Sequence, residues 1–160
     1  MLSLERATEL LQYDPVTGDV RWLDNMRKGQ KAGSVHDKRG YLVVYIDGHR
    51  YYLHRVVFLL MTGKWPKDQV DHQNLDKSDL RWENLREATC SQNFANRKAY
   101  KNNKSGYKGV SWCKIMNKWA AEIRINRKGQ KLGYFDDPKD AHAAYCAAAS
   151  RIFGEFARAA

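Results

Sequence analysis

The chain has 160 residues, with 28 Lys plus Arg against 18 Asp plus Glu, a formal charge of +10. That length holds one sizeable domain or two small ones, and an apolar share of 43% excludes wholesale disorder. The positive excess points to a polyanion partner, and no apolar run is long enough to cross a bilayer. In chain order, Ser3 caps an expected helix over residues 4–11, with Leu4, Ala7, Leu10 and Leu11 on one face. Asp14-Pro15 and Thr17-Gly18-Asp19 are turn signals before a short strand at 19–23. Alternation around Asp47-Gly48 predicts a hairpin of 41–46 with 50–53. Residues 54–62 read as a compact apolar helix, stopped by Gly63 and Pro66. A stretch dense in polar residues follows, and then a basic segment without periodicity at 98–105, which reads as a linker. Three strands are expected at 110–113, 118–126 and 130–135, with a turn at Asn126-Arg127-Lys128-Gly129. Residues 136–138 end that sheet. The spacing then predicts a helix over 140–154, with Ala144, Tyr145, Ala148 and Ile152 on one face.

Residues 1–11 carry Glu5, Arg6 and Glu9 and no apolar core of a leader, so no secretory signal is expected. Cys90, Cys113 and Cys146 are too far apart for a CxxC site or a disulfide framework, which fits a reducing compartment and a cytoplasmic location. The charge is concentrated. Residues 97–131 hold eleven basic side chains and one acid, Glu122, interleaved with Tyr107, Trp112 and Trp119. A one-sided excess with interspersed aromatics favours nucleic acid over a merely solvated surface.

The chemistry concentrates in Val70-Asp71-His72-Gln73-Asn74-Leu75-Asp76, followed by Glu83-Asn84-Leu85-Arg86 and Ser91-Gln92-Asn93. An Asp beside a His, next to an apolar strand residue, is a metal ligand beside a general base, or a turn cap beside a surface imidazole. Phosphodiester hydrolysis needs an activated water and a cation on the scissile phosphate. A neutral His near its ordinary pKa suits proton abstraction at neutral pH. Oxygen ligands select a hard cation such as Mg²⁺ or Mn²⁺.

This stretch resembles the HNH endonucleases of the phage homing type. The upstream blocks Tyr13-Asp14-Pro15-Val16-Thr17-Gly18, Asp47-Gly48, Leu53-His54-Arg55 and Met61-Thr62-Gly63-Lys64-Trp65-Pro66 recur in that group in the same order, so the likeness covers most of residues 3–98. It implies a ββα-metal unit, with two antiparallel strands and a helix around one divalent metal ion per chain, Mg²⁺ ahead of Mn²⁺. It implies His72 as the general base, Asn84 as the residue that hydrogen-bonds the loop and orients His72, and Asp71 and Asn93 as the metal ligands. Asn96 is the alternative to Asn93. Arg86 contacts a phosphate or is simply a surface residue. Leu75 replaces a common Gly, and Leu80 stands where a polar residue is usual. His54 reads as a packed core residue rather than a ligand, and His36, His49 and His142 receive no role.

Gly106-Tyr107-Lys108-Gly109-Val110, Lys118-Trp119-Ala120-Ala121-Glu122-Ile123-Arg124, Leu132-Gly133-Tyr134-Phe135-Asp136, the alanine-rich helix and Gly154-Glu155-Phe156-Ala157 are similar to the plant ethylene-response-factor (Apetala-two) DNA-binding domain. That likeness implies a three-stranded antiparallel sheet in the major groove with a helix behind it. Its DNA-facing positions fall on Lys108, Ser111, Glu122, Arg124 and Lys131, and Arg86, Arg97, Lys98 and Lys104 complete the expected DNA-binding set. Strand alternation by itself puts Trp119, Ala121, Ile123 and Ile125 on one face of 118–125 and Lys118, Ala120, Glu122 and Arg124 on the other.

The fold class expected is therefore α+β: an HNH domain at 1–98 with its ββα-metal core at about 68–98, a basic linker at 99–105, and a sheet-on-helix domain at 106–160. The function expected is a metal-dependent DNA endonuclease, nicking or site-directed, acting on double-stranded DNA in a host cytoplasm. No membrane and no obligate protein partner are expected. The alternative is a catalytically inert DNA-binding regulator. RNA binding is disfavoured because the outward sheet face carries charge rather than stacking aromatics.

Overall fold

The computed structural model describes residues 1–36, 38–100 and 102–158, so Lys101 of the expected linker lies outside the described residues. The chain divides into two compact units, Met1–Ala88 and Thr89–Ala160. The architecture is α+β, with small antiparallel sheets and short helices. Among the described residues no helix is long and apolar enough to cross a membrane.

The first unit opens with α1 (Leu4–Leu10), capped as expected by the Ser3 hydroxyl, which accepts from Arg6 N at 3.2 Å. β1 (Leu11–Tyr13) pairs with β2 (Val20–Trp22) across the Asp14–Gly18 turn, where Asp14 Oδ1 accepts from Val16 N at 2.9 Å. β3 (Ser34–Val35), β4 (Leu42–Ile46) and β5 (His49–Tyr52) form an antiparallel sheet in chain order. Ile46 faces His49 across Asp47 and Gly48, whose φ values of 48° and 74° define the two-residue turn that matches strand twist. α2 (Leu53–Thr62) follows β5 without a loop and buries Leu53, Val56, Val57 and Leu59. These side chains meet Ala7, Leu11, Val20, Trp22, Val44, Ile46, Val70, Leu80 and Leu85 in one core. Each fully buried aliphatic contributes about 1.5–3 kcal/mol. β6 (Gln69–His72) and β7 (Leu85–Ala88) close the unit as an antiparallel pair, with a 3₁₀ turn at Trp82–Asn84 ahead of β7. Leu80, where a polar residue was usual, is a core side chain 3% exposed.

The second unit begins with α3 (Cys90–Asn96). Thr89 and Gln92 cap it reciprocally, Thr89 Oγ1 accepting from Gln92 N at 3.3 Å and Gln92 Oε1 accepting from Thr89 N at 2.8 Å. β8 (Val110–Cys113), β9 (Lys118–Ile125) and β10 (Lys128–Phe135) form a sheet of order β10-β9-β8. The β9–β10 turn is shorter than expected. Asn126 and Arg127 both take left-handed backbone (φ 47° and 67°), so two residues suffice and Lys128 already pairs with Ile125. α4 (Pro138–Phe153) starts earlier than expected because Asp137 caps it, accepting from Lys139 N at 2.7 Å, and because Pro138 has no N–H to leave unsatisfied in the first turn. Its buried face is Ala141, Tyr145, Ala148, Ala149 and Phe153. Ile152, expected on that face, is 36% exposed, and Phe153 continues the stripe from Ala149 instead.

Side chains of this unit hold α3 in place. Ser91 Oγ accepts from Asn126 N at 2.9 Å, Arg158 Nε donates to Asn96 Oδ1 at 3.1 Å, and Lys108 Nζ donates to the carbonyls of Ala95 and Arg158. The segment ahead of β8 is hydrogen-bonded too. Asn103 Nδ2 donates to Tyr107 O at 2.7 Å and Ser105 Oγ to Val110 O at 2.9 Å. The division between units thus falls at Ala88/Thr89.

Candidate active site and nucleic-acid interface

β6 ends on Asp71 and His72, which are 1% and 0% exposed. Antiparallel pairing sets Asp71 opposite Arg86 and His72 opposite Leu85. Arg86 uses this register: its Nη2 and Nε donate to Asp71 Oδ2 at 3.1 and 3.2 Å, and its side chain is 11% exposed. Arg86 therefore lies against the Asp71 carboxylate rather than standing clear in solvent.

The loop from Gln73 to Arg81 is closed by Asn84. Its Oδ1 accepts from Asn74 N at 2.9 Å, its Nδ2 donates to Asp79 O at 2.9 Å, and its main-chain O accepts from Gln73 N at 2.9 Å. An amide is the side chain that can accept and donate in one plane, so it ties both limbs of the loop at once. Leu75 sits inside this loop at φ 71°, the left-handed backbone that a glycine adopts at no steric cost. Asp79 accepts from Arg81 and from Asn74 Nδ2, and these hold its carboxyl down to about 2. The Asp14–Gly18 turn braces the far limb. Pro15 O accepts from Trp82 N at 3.0 Å, and Tyr13 donates its hydroxyl to Leu80 O at 2.7 Å.

His72 lies in a cluster of rings. Its centroid is 5.0 Å from His54 and 6.0 Å from Tyr41, and Lys77 Nζ lies 5.5 Å from the Tyr41 ring. Burial first, and then the Lys77 charge, push the His72 imidazole down to about 4, with Asp76 and Asp79 opposing. It is neutral at pH 7, though its pKa does not stay near the ordinary 6.5 that the sequence suggested. Burial lowers His54 further, to about 3.

For a metal, the first unit offers one buried carboxylate, Asp71, and the amides expected to join it, Asn93 or Asn96, belong to the second unit. Among the described residues no cluster of three His, Cys, Asp or Glu exists. Such a set fits a hard cation that keeps most of its own waters, and it does not fit a cage for a soft transition metal. Asn93 lies on α3 and is half-buried. Asn96, its alternative, is 3% exposed, and its Oδ1 already accepts from Arg158.

In the second unit, Ser111 and Arg124 are exposed on strands whose alternate residues Val110, Ala121 and Ile123 are buried. Glu122 ion-pairs with Lys131 across the β9–β10 register at 3.2 Å. Arg97, Lys98 and Lys104 are exposed, with the Arg97 guanidinium 4.1 Å from the Phe94 ring. Lys108 is turned onto the Ala95 and Arg158 carbonyls, and burial, followed by Arg158, pushes its amine down to about 8. An open groove of about 780 Å³ brings Arg97, Lys98, Lys104, Lys108, Ser111, Glu122 and Arg124 together, and Lys131 lies outside it. Trp112 and Trp119 also line it, in edge-to-face contact at 5.1 Å.

Sequence reasoning missed the ion pair of Arg86 with Asp71 and the His54 and Tyr41 rings beside His72. The first follows from the β6–β7 register once His72 is placed opposite Leu85. The second had a signal in the Leu53-His54-Arg55 block.

A strand pair ending in Asp-His with a loop tied by Asn84, followed by a helix and then by a three-stranded sheet with its own helix, defines a two-part class of protein. Residues 51–95 match the family model described as HNH endonuclease, and residues 105–155 match that described as AP2 domain. The chain is thus similar to HNH endonucleases over the first of these stretches and to AP2 domains over the second, on its C-terminal side. Among curated proteins it is 34% identical over 122 residues to an uncharacterized HNH endonuclease of Acanthamoeba polyphaga mimivirus, a match covering 75% of this chain. The chain spans 62% of the length of that relative. No solved structure matches the chain.

Proposed function

We propose that the chain is a metal-dependent DNA endonuclease of the homing type, in which the first unit and α3 carry the chemistry and the AP2 unit anchors duplex DNA. The observation that carries this reading is the His72 ring, buried, neutral at pH 7 and set at the end of β6 behind a loop that Asn84 ties shut. In the reading His72 takes a proton from water as it attacks phosphorus, and Asn84 fixes the backbone from which His72 projects. Asp71 and Asn93 supply oxygen to a divalent ion, Mg²⁺ ahead of Mn²⁺, with Asn96 as the alternative to Asn93. When bound, that ion neutralises charge on the scissile phosphate.

Arg86 sits beside Asp71 and would face the same phosphate, while Arg97, Lys98, Lys104, Ser111, Glu122, Arg124 and Lys131 hold the duplex. Lys108 acts mainly by clamping α3. In this reading the protein works in a host cytoplasm. The ion pair of Arg86 with Asp71 favours one second reading, a DNA-binding regulator whose HNH site is inert because its carboxylate is already neutralised. Plasmid relaxation with and without Mg²⁺ separates the two. Nicked product that requires the metal supports the endonuclease; tight DNA binding without any nicking supports the regulator.

A further inference from the structure

Among the described residues of the first unit, His54 is the buried polar group that this chemistry leaves unused. It stands in the first turn of α2, 6% exposed, among the apolar Leu53, Val56 and Val57. Its Nδ1 is buried without a hydrogen-bond partner among the described residues. A buried nitrogen in that state costs about 1–3 kcal/mol, a cost that an apolar side chain of similar size avoids. The imidazole nevertheless lies edge-to-face against His72, with centroids 5.0 Å apart and planes at 69°. Tyr41 touches both rings, 5.4 Å from His54 and 6.0 Å from His72, and Tyr52 backs His54 at 5.6 Å. Every one of these separations lies in the range where aromatic rings attract. The chain builds this wall locally, because β5 ends at Tyr52 and α2 begins at Leu53 with no intervening loop.

We infer that His54, backed by Tyr52 and Tyr41, is a positioning residue for His72, its ring being the wall that holds the His72 imidazole in one orientation. This rests on the reading of His72 as the base. His54 touches no reacting atom and contributes ring shape. Burial keeps it uncharged near neutral pH, so the wall does not repel its neighbour.

The test compares His54→Ala with His54→Phe in the full chain, by single-turnover nicking of plasmid DNA in Mg²⁺ and by duplex binding. With the wall gone, His54→Ala is expected to slow the chemical step by about 10²-fold at nearly unchanged DNA affinity, and His54→Phe to recover to within about threefold of wild type. A His54→Phe protein as slow as His54→Ala overturns the inference, since the nitrogen would then matter. Two variants that both nick at the wild-type rate overturn it equally. His54→Leu replaces His54→Ala if the latter does not fold. A second readout needs no catalysis: the His72 ring C–H resonances of the DNA-free protein should move in His54→Ala and return towards wild type in His54→Phe. Resonances unmoved in His54→Ala contradict the wall. A wild-type chain that does not nick refutes the endonuclease reading instead, and the ring resonances then decide alone whether His54 orients His72.

Discussion

Asp71 and Arg86 form an ion pair inside the first unit. The pair is buried, with side-chain exposures of 0% and 11%. Removing one partner of a buried pair costs about 3–5 kcal/mol in comparable cases. Asp71→Ala should therefore lower stability by that amount in chemical denaturation, and Arg86→Leu added to it should restore a large part. A double variant no more stable than Asp71→Ala would contradict the pairing. The two buried histidines act on stability through pH. Below 6.5 an unfolded chain takes up protons that His54 and His72, held at about 3 and about 4, refuse when folded. Stability is thus unaffected by them above 6.5 and lost as pH falls from there towards 4, with a slope approaching about 1.4 kcal/mol per pH unit for each. His54→Phe removes one of the two, so its unfolding free energy measured at pH 7, 6 and 5 should fall less steeply than that of the wild type. Equal slopes would contradict the burial of a neutral His54.

At the scale of elements, the turn between β1 and β2 is part of the site's support. Gly18 has φ 76°, and a Cβ there would stand 2.7 Å from Arg81 N and 2.9 Å from the Leu80 carbonyl carbon. Neither backbone atom can give way without shifting the segment that leads to Asn84. Gly18→Ala should destabilise the protein by about 2 kcal/mol or more, read as a drop in Tm, and slow nicking at temperatures where it remains folded. A wild-type Tm would show that the turn is not pressed onto that segment. Local chemistry made several elements legible from sequence. Ser3 announced α1, Asp47-Gly48 announced the β4–β5 turn, and alternation gave β8 and β9 nearly to the residue. The short strands β1, β3, β6 and β7 were not legible from periodicity, because two to four residues carry no measurable period. Only the likeness to HNH endonucleases placed the strand ending at His72. The attachment of α3 was hidden for another reason: its partners Lys108, Asn126 and Arg158 are remote in sequence, and a lysine in a basic run reads as a DNA contact until its Nζ is seen on two carbonyls.

Over the whole chain, charge and chemistry are separated along the sequence. The basic excess lies after residue 96, and Asp71, His72 and Asn84 come before it. Affinity for duplex DNA should therefore depend steeply on salt, and Lys104→Ala should weaken all sequences alike, reducing the slope of log K against log salt by about 0.9. Arg124→Ala should instead cost about 1–3 kcal/mol on a preferred site and less elsewhere. Fluorescence anisotropy across a salt series distinguishes them, and equal behaviour of the two variants would contradict base reading by Arg124. The sequence exposed the residues of the candidate site better than their surroundings. The Asp-His pair and Asn84 were visible as a spaced motif, whereas the ring wall and the Arg86 contact arise from register and packing between segments. As the general base, His72 acts in the chemical step alone. The most direct measurement is single-turnover nicking and duplex binding by His72→Ala in Mg²⁺, on protein shown to be folded. The prediction is nicking lost by about 10³-fold or more with DNA affinity within about twofold of wild type. Nicking at the wild-type rate, or binding lost in step with it, would contradict the assignment of His72 as the base.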